Sequence, residues 1–566
     1  MNKVILGMLA VISIQFTEAQ NQLFIPDTLA GPTFDLTVAY DSVEFIPGYL
    51  TQTAGVNGPI LGPTLIINKG DAVAINVTNE LSDTTTMHWH GVHLPSEMDG
   101  GPHSKIAPNT TWSPNWIAMD NASTMWYHPH LHHTTYKQVM MGVSGIIINR
   151  DSAETELDLP RTYGVDDIPL VLQTKVMTTG HQIDTDLDHR NMDTMLLVNA
   201  TRDAYFNAPA QLVRFRILNG SAMRSFNVGL SNGADFWVIG SDGGLLSAPV
   251  QVNDLVVSNG ERYEIIVDLS GLEATSVDLM NFGTTMPSGI YGTATMGGMG
   301  GSSIPNYSNN PLNGADFTLL TLNVGEPTVN SIFSLPTELV SVDVLSEFDV
   351  DENRTLDMSA VVMGPDGALN GPFQINDSPF NMSEVNEVVK INNTEVWTIN
   401  NQTQIAHPFH IHDVQFNIIE LNGSTPPAHM QGWKDVVLVP GQMGSAKFIA
   451  KFEDFTDPEI PFMYHCHILA HEDEGMMGQF IVVDEDFDVS LIENSIFSFY
   501  PNPVSDFLTI DMVHNTAETL RIYDISGSVV YKQEISNRST EIGLSTLSPG
   551  IYFLAVGTNM EKFVKF

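Results

Sequence analysis

Basic residues are scarce in this chain. Its 566 residues include 23 Lys and Arg against 66 Asp and Glu, which gives a formal net charge of −43. A surface this acidic repels phosphate backbones, so nucleic acid is excluded as a partner. It favours cationic partners or a salty medium, although selection for solubility alone explains most of these carboxylates equally well.

Cysteine is almost absent as well. Cys466 is the one cysteine in the sequence, so no intramolecular disulfide can stabilise the fold. A free thiol in an oxidising compartment is a liability unless it is buried or bound to something. Its neighbours, His465 and His467, indicate a metal.

Long apolar runs are missing, and the longest lies at the N-terminus. Lys3 precedes the apolar residues 4–14, and Thr17-Glu18-Ala19 follows as a small-residue cleavage pattern. This pattern predicts a secretory signal peptide at residues 1–19. The run is too short for a membrane anchor, which needs about 18–20 apolar residues. We therefore predict a secreted or cell-surface protein without a transmembrane segment in the mature chain.

Helical periodicity is nearly absent, and short β-branched runs alternate with Gly, Asn, Pro and Asp turns. This pattern predicts an all-β protein built from β-sandwiches or barrels. Changes in composition place domain boundaries near residues 155, 330 and 490. Residues 284–303 carry Met286, Met296 and Met299 among glycines, which predicts a mobile loop. Soft copper binding by these thioethers is the alternative.

The segment after residue 495 forms a separate unit. It opens with Phe499-Tyr500-Pro501-Asn502-Pro503 and closes with Lys562-Phe563-Val564-Lys565-Phe566. Composition predicts only a small β-sandwich, but the arrangement resembles the C-terminal sorting domain of the type IX secretion system. The resemblance implies that residues 495–566 engage the secretion machinery for export and contribute nothing to chemistry.

His-x-His pairs are far more frequent than chance allows. With 18 histidines in 566 residues, about 0.6 such pairs are expected at random, and five are present. The pairs are His88/His90, His128/His130, His130/His132, His410/His412 and His465/His467. Residues i and i+2 of a strand share a face, so four pairs can supply eight imidazoles to one point. Eight exceed the three or four ligands of zinc, and imidazoles without carboxylates suit a copper cluster.

The same alternation puts Cys466 on the face opposite to His465 and His467. A thiolate with imidazoles and a weak thioether is the ligand set of a blue copper site. Downstream lie His471 and Met476, while His407 is off the face shared by His410 and His412. One mononuclear copper is therefore predicted back to back with the histidine cluster. This arrangement indicates one-electron intake at Cys466 and multi-electron chemistry at the cluster.

Four ordered motifs resemble those of the multicopper oxidases. They are His88-Trp89-His90-Gly91, Trp126-Tyr127-His128-Pro129-His130, His407-Pro408-Phe409-His410-Ile411-His412, and His465-Cys466-His467 through Met476. A middle region is similar to the second cupredoxin domain of that family, with Gly260-Glu261-Arg262-Tyr263 and Ser241-Asp242-Gly243-Gly244. The resemblance spans residues 21 to about 485. It implies three cupredoxin-like Greek-key sandwiches at 20–155, 156–329 and 330–488, followed by the small C-terminal sandwich.

Position by position, the resemblance implies four copper ions. His407, Cys466 and His471, with axial Met476, would hold the type 1 copper, whose methionine implies a low-to-middling potential. His88 and His410 would hold the type 2 copper. The type 3 pair would be held by His90, His128, His130, His412, His465 and His467. The family takes electrons singly from a reductant and reduces O2 to water.

Two carboxylates are expected to deliver protons for O–O cleavage. Asp99 and Glu472 look similar to acidic residues that bacterial members keep near the cluster. The alternative for either is a solvated carboxylate or a hydrogen bond to a ligand imidazole. Eight histidines have no place among the ligands and are expected to be exposed or satisfied in the core: His93, His103, His132, His133, His181, His189, His429 and His514.

The electron donor is the least determined part of this interpretation. Cuprous oxidases of the family place Asp and Met where this chain has Thr403 and Ile405, so that substrate-copper site is missing. We therefore predict a laccase-like oxidase of phenols, aromatic amines or similar donors, with electrons entering at the edge of His407 or His471. A cuprous or ferrous oxidase is the alternative, since the acidic surface attracts cations. A pure electron carrier or a nitrite reductase would not need the complete histidine cage.

Overall fold

The computed structural model describes residues 20–296, 302–487, 497–512, 518–525, 527–556 and 559–566. The predicted signal peptide at residues 1–19 lies outside the described residues. The chain divides into two compact units, one comprising residues up to 381 and 385–483, the other 382–384 with 484–566. In the described part, no helix is both long enough and apolar enough to cross a membrane.

The first sandwich of the larger unit contains two sheets. One has the strand order Thr28–Ala30, Thr64–Asn68, Gly145–Arg150, Ser123–His128 and His88–His90. The other has the order Tyr49–Val56, Thr33–Ile46, Ala72–Asn79 and Thr111–Trp112, with Asn115–Ile117 also paired to Ala72–Asn79. Along the strand at 72–79, Val73, Ile75 and Val77 are buried and alternate with more exposed residues. This alternation buries one face of the sheet against its partner.

The second sandwich has two six-stranded sheets. One has the order Asp193–Val198, Asp167–Val176, Leu212–Asn219, Arg262–Asp268, Phe236–Ser241 and Gly244–Val252. The other has the order Asn21–Gln22, Ala204–Pro209, Asp316–Gly325, Ser276–Phe282, Phe226–Leu230 and Asp254–Val257. The first described strand of the chain therefore adds to this sandwich, through parallel pairing of Asn21 with Ala204.

The third sandwich completes the larger unit. One sheet has the order Phe373–Ile375, Glu352–Ala360, Thr394–Asn401, Gly444–Lys451 and Phe416–Leu421. The other has the order Glu387–Lys390, Met477–Val483, Asp457–Cys466, His407–Ile411 and Val436–Val439. Phe409, Phe416 and Phe448 are fully buried in its core.

The smaller unit is a β-sandwich of two short sheets. One has the order Phe497–Tyr500, Phe507–Met512 and Ser539–Gly543, the other Val529–Ile535, Glu518–Asp524, Gly550–Val556 and Asn559–Lys565. Leu508, Ile522 and Leu554 lie in its apolar core. The predicted class, three large sandwiches and a small C-terminal one, is confirmed.

Among the described residues, helices are few and short. The α-helices are Thr135–Met141, Ser152–Thr155, Gly367–Asn370 and Leu469–Asp473. Single 3-10 turns lie at Ser96–Met98, Leu187–His189, Tyr307–Asn309, Glu347–Asp349 and Ala428–Met430. The helices at 135–141 and 469–473 pack against each other, because the Asp473 carboxylate accepts the backbone N–H groups of Thr135 at 3.1 Å and Tyr136 at 2.9 Å. This contact joins the first sandwich to the third beside the histidine motifs.

Candidate metal centres

Strand pairing brings the four histidine motifs together. His128 lies opposite His88 in the first sandwich, and His465 lies opposite His410 in the third. Across the two sandwiches, the rings of His88 and His412 stack with centroids 3.8 Å apart. The eight predicted cluster histidines therefore meet where the first and third sandwiches touch. These eight residues, called the cage from here on, are each at most 1% exposed: His88, His90, His128, His130, His410, His412, His465 and His467.

The ring nitrogens of these histidines converge in distinct groups. Nε2 of His130 lies 3.0 Å from Nε2 of His465 and 3.2 Å from Nε2 of His412. Nδ1 of His90 lies 3.2 Å from Nε2 of His467. Further groups of ligand atoms, all within 4.8 Å of one another, are His88 with His90 and His128, and His88 with His410 and His412. Such groups match the spacing of ligands around metal ions.

Some outward nitrogens of the cage are hydrogen-bonded, whereas several inward ones are not. Nδ1 of His88 donates to the carbonyl of Asp99 at 3.0 Å, and Nδ1 of His128 to the carbonyl of Pro129 at 2.8 Å. Yet Nε2 of His88, His128 and His410 has no partner in the described part of the chain, although each is buried. A buried acceptor left unpaired costs about 1–3 kcal/mol. Metal ions completing the cage would remove that cost, so the residues fit a bound metal.

Burial also favours the neutral form of six cage histidines. It lowers the pKa of the imidazoles well below the usual value, and the neighbouring histidines lower it further. This holds for His90, His128, His130, His410, His465 and His467. Neutral imidazole is the form that binds metal, so burial favours the form of these six residues that could ligate a metal.

Both predicted acidic residues lie against the cage. Oδ2 of Asp99 accepts from Nδ1 of His412 at 2.8 Å, and its Oδ1 lies 3.3 Å from Nδ1 of His88. Burial would raise the pKa of Asp99, but His412 and His88 hold it below the usual range.

Glu472 is fully buried, with its two carboxylate oxygens each 3.3 Å from Nδ1 of His130 or His465. These contacts fall outside hydrogen-bonding geometry. Burial, followed by the charge of Asp473, raises the pKa of Glu472 well above its usual value. The surroundings therefore shift the pKa values of these two carboxyl groups in opposite directions.

The single cysteine forms a separate group. Sγ of Cys466 lies 3.4 Å from Nδ1 of His407 and 3.7 Å from Nδ1 of His471, and all three residues are buried. Burial lowers the pKa of His407 to about 3, lowers that of His471 strongly, and raises that of the Cys466 thiol. A buried thiol beside two neutral imidazoles fits a soft metal ion, because the ion would supply the charge that a thiolate needs.

Met476 returns to this group after the short helix at 469–473. Its backbone N–H donates to the carbonyl of His471 at 2.9 Å, and its carbonyl accepts from the N–H of Cys466 at 3.0 Å. Gly475, with φ of +105°, makes the turn that permits this return. The fully buried methionine is thus held next to Cys466 in the chain fold.

The surroundings of His407 and His471 differ. Nε2 of His407 lies 2.9 Å from Oγ1 of Thr403, and both Thr403 and Ile405 are buried at 1% exposure. His471 instead lines a cleft of about 110 Å³. Its other walls include Leu187, Asp188, Arg190, Met223, Tyr291, Ile304 and Leu369.

Asp435 contacts the cage and was missed by the sequence analysis. Its Oδ1 lies 3.1 Å from Nε2 of His90, and its carbonyl accepts from Nδ1 of His410 at 2.8 Å. Arg262 of the second sandwich pairs with the same carboxylate. The signal available was the Gly260-Glu261-Arg262-Tyr263 motif, which marked the arginine but not its partner.

Seven of the histidines left out of the ligand count are described, and none of them is fully buried. His93 pairs with Asp413 at 2.7 Å and with Asp454 at 3.1 Å. Burial would lower its pKa, but these carboxylates raise it to about 10. His103 contacts Oε1 of Gln479 at 2.8 Å. His514 lies outside the described residues.

The described part of the glycine- and methionine-rich stretch at 284–303 mixes buried and exposed residues, and both of its methionines are buried. Met286 is 5% exposed and lies with Ile290 and Ala406, while Met296 is 6% exposed within the large apolar core. Residues 297–301, with Met299, lie outside the described residues. For the two described methionines, packing accounts for the side chains without a metal.

Family comparisons agree with this architecture. Models of the multicopper oxidase family match residues 37–154, 187–276 and 347–486, and a secretion system C-terminal sorting domain matches residues 498–566. The multicopper oxidase mco of Staphylococcus haemolyticus is 30% identical over 483 residues, 83% of this chain and 94% of the relative. The cell division protein FtsP of Escherichia coli is also 30% identical, over 82% of this chain and 93% of its own.

Solved structures show the same cupredoxin-like fold. A bacterial laccase-like multicopper oxidase, CueO from Ochrobactrum sp., superposes with a TM-score of 0.71 at 33% identity. The match covers 81% of this chain and 100% of that protein. The family implies copper, and the buried neutral histidines and thiol fit it. The chain therefore belongs to the multicopper oxidase family, a family of copper-dependent oxidoreductases.

Proposed function

We propose that the protein is a laccase-like oxidase that couples one-electron oxidation of small organic donors to four-electron reduction of O2 to water. Four copper ions would be bound. His407, Cys466, His471 and Met476 would hold the type 1 copper, and His88 and His410 the type 2 copper. The type 3 pair would be held by His90, His128, His130, His412, His465 and His467.

The observation that carries this proposal is that Cys466, whose sequence neighbours are two cage histidines, has its own side chain in a different group. Its thiol lies within 3.7 Å of Nδ1 of both His407 and His471, while His465 and His467 enter the cage on the other side of the strand. The covalent chain thus joins an electron-accepting site to a site of several metal ions. A pure electron carrier would need the first group alone.

Copper would supply the one-electron redox steps and the binding of oxygen. The chain's own carboxyl groups would transfer the protons that oxygen reduction consumes. Glu472, between His130 and His465, is the group we assign to hold a proton at its carboxyl oxygens. Asp99, which bridges His412 and His88, would orient those rings and accept protons in turn.

Electrons would enter through His471. Its ring borders the cleft, whereas the outer nitrogen of His407 is covered by Thr403. Leu187, Met223 and Tyr291 line this cleft of about 110 Å³, which would admit the edge of a flat, partly apolar donor without enclosing it. The Ochrobactrum relative has oxidase activity towards lignin model compounds and lignosulfonate, which supports organic donors for this chain.

Oxidation of cuprous or ferrous ions is the second candidate. Asp188 lines the same cleft, and the whole chain carries a formal net charge of −43. Both features attract cations to the point where electrons would enter. Buried Thr403 and Ile405 at the positions of the missing Asp and Met favour the organic donors over this alternative.

Export is proposed for the same chain. Residues 1–19 would direct it across the inner membrane and be removed, and the sorting domain at 495–566 would engage the secretion machinery. The catalytic domains would then lie at 20–155, 156–329 and 330–488. The product would be secreted or held at the cell surface, where organic donors and O2 are available.

Oxygen uptake by the copper-loaded chain tests the proposal. A phenolic donor, a non-phenolic dye, Cu(I) and Fe(II) are compared at equal concentration, with the absorption spectrum recorded on the same sample. Rapid uptake with the organic donors and little with the metal ions is expected. Preference for Cu(I) or Fe(II) would favour the second candidate, and a blue protein without uptake from any donor would exclude an oxidase.

A cleft variant separates the two donor classes. Leu187→Trp narrows the cleft beside His471, so KM for a phenol should rise while oxidation of a metal ion stays near the wild-type rate. Val329→Trp is the matched control, because Val329 is fully exposed and lies outside the cleft lining. An unchanged KM for the phenol in Leu187→Trp would contradict an organic donor site in this cleft.

A further inference from the structure

Asp435 lies where all three large sandwiches meet. It directly precedes the strand Val436–Val439 of the third sandwich and is 1% exposed. Its Oδ1 lies 3.1 Å from Nε2 of His90, which belongs to the first sandwich. Arg262 of the second sandwich donates to Oδ1 at 2.6 Å and to Oδ2 at 2.5 Å. One carboxylate therefore links a cage histidine to an arginine from a sandwich that supplies no cage histidine.

His90 is oriented differently from the cage histidines that donate through Nδ1. His88, His128 and His410 give their Nδ1 proton to a backbone carbonyl, which leaves Nε2 facing inward. His90 directs Nε2 to Asp435, and its Nδ1 faces Nε2 of His467 at 3.2 Å. Because a carboxylate only accepts, Asp435 requires the proton of His90 to sit on Nε2. Nδ1 is then the free nitrogen.

A metal ion at Asp435 itself is disfavoured. Ligand atoms of His90, His410 and Asp435 do lie within 4.8 Å of one another. Both carboxylate oxygens, however, accept from the guanidinium of Arg262, and a cation in this place would meet its positive charge. The arrangement is a hydrogen-bonded clamp on the back of the cage.

One glycine makes room for this clamp, and a second lets the backbone of the second sandwich approach the cage. A Cβ atom on Gly91 would lie 2.6 Å from Nη2 of Arg262 and 2.7 Å from Oδ2 of Asp435. A Cβ atom on Gly260 would lie 2.8 Å from Cγ of His467. Both glycines have positive φ, +89° and +82°, so neither position accepts a larger residue without strain. The second sandwich thus presses directly on the cage.

We propose that Asp435, held by Arg262, is a positioning residue that fixes His90 with Nδ1 toward the cluster. Through this pair the second sandwich contributes to the site of the proposed type 2 and type 3 coppers, although it carries none of the proposed ligands. The inference rests on the proposed four-copper function. It goes beyond that function by assigning a role to the middle sandwich.

Asp435→Asn tests the clamp. An amide that keeps its oxygen toward His90 must turn its NH2 group toward Nη2 of Arg262, so one of the two contacts with the guanidinium is lost and His90 is held less firmly. Partners of this kind typically contribute 10–100-fold to metal affinity. We expect copper affinity of the cluster to fall by about that factor, with changed type 2 resonance and near-ultraviolet absorption. The blue thiolate–copper band, from residues the clamp does not touch, should keep its wild-type intensity.

Arg216→Lys is the matched control. Arg216 forms an equally buried pair with Asp167, Nε to Oδ1 at 2.7 Å, but its further contacts are Glu264 and Thr124 and not a histidine. It should lower stability without altering the cluster spectra. Arg262→Lys keeps the charge but loses the two-pronged contact, so it should reproduce part of the Asp435→Asn signature and provides a second variant if the first does not fold.

The copper-loaded wild-type chain gives a test that needs no variant. In its crystal structure, His90 should bind through Nδ1 with Nε2 on Asp435, and binding through Nε2 would overturn the proposal. Unchanged cluster spectra and copper affinity in Asp435→Asn would overturn it too, as would the same loss in Arg216→Lys. A wild-type chain that loads no cluster copper would instead refute the proposed function itself.

Discussion

The hydroxyl oxygen of Thr403 lies 2.9 Å from Nε2 of His407. Oγ1 of Thr403 is also 2.7 Å from Oδ1 of Asn401 and 3.0 Å from the carbonyl oxygen of Ile405. Either oxygen can accept the hydroxyl proton of Thr403. The hydroxyl is therefore free to accept the Nε2 proton of His407. This contact turns Nδ1 of His407 toward Cys466 and covers the outer edge of the ring, so His471 is left as the ring that reaches the cleft.

Thr403→Val is predicted to raise the type 1 reduction potential. An acceptor on the remote N–H makes an imidazole a stronger donor to the oxidised metal, and valine removes it. One hydrogen bond of about 1 kcal/mol corresponds to a rise of roughly 40 mV for a one-electron couple. Redox titration of the blue band measures the shift.

Thr403→Ser controls for the change in shape, because it keeps the hydroxyl and should hold the potential near the wild-type value. The valine variant also leaves a buried N–H unpaired, so the free energy of unfolding should fall by about 1–3 kcal/mol. An unchanged or lowered potential in Thr403→Val would contradict the role given to this hydroxyl.

Glu472→Gln is predicted to slow the oxygen half of the reaction. The glutamine keeps the size of the side chain between His130 and His465 but cannot release a proton. Loss of a positioned acid typically lowers a rate by about 10²–10⁴. Stopped-flow reoxidation of the fully reduced enzyme by O2 should show this loss, while anaerobic reduction of the blue band by donor stays unchanged. Equal slowing of both halves would point to a structural effect.

Cys466→Ser is predicted to separate the two centres. A serine hydroxyl is a poor ligand for copper, so the blue band and donor oxidation should be lost. The cage histidines enter on the other face of the strand, and the variant should still bind three coppers per chain instead of four. Elemental analysis with the type 2 resonance measures this. Loss of all copper would contradict two independent centres.

The period of two along a strand was enough to predict which histidines of each motif lie on the same face of that strand. His88 with His90 and His410 with His412 share faces because strand geometry is local, and Cys466 falls opposite His465 for the same reason. The predicted ligand types could therefore be assigned to two groups before any long-range contact was known.

Contacts between distant segments could not be predicted in this way. Asp435 and His90 are 345 residues apart, and the carboxylate reaches the cage only when Arg262 of a third segment holds it. Similarly, the glycine-rich sequence around Met286 did not predict its burial, because that burial depends on packing against Ala406, which lies far along the chain. Composition reports the freedom of a local chain, not the surface that packs onto it.

A buried lysine that the proposed chemistry does not use gives a prediction about pH. Lys175 is 1% exposed, and its ammonium donates to the carbonyl of Val139 at 3.1 Å, in the last turn of the helix Thr135–Met141. Burial lowers its pKa from 10.5 to about 7. Between these two values the unfolded chain binds more protons than the folded one, so this lysine makes stability rise with pH.

Lys175→Met should therefore stabilise the protein at neutral pH, by on the order of 2 kcal/mol, because methionine fills the space without a charge to bury. The gain should shrink as the pH rises from 7 and vanish near 10.5, where the unfolded lysine is neutral as well. Urea unfolding at pH 7, 8.5 and 10 measures the difference from wild type. Lys137→Met is the control, since Lys137 is 47% exposed and pairs with Asp83 at the surface. A pH-independent difference for Lys175→Met, or a loss of stability at pH 7, would mean that the Val139 carbonyl compensates the buried charge.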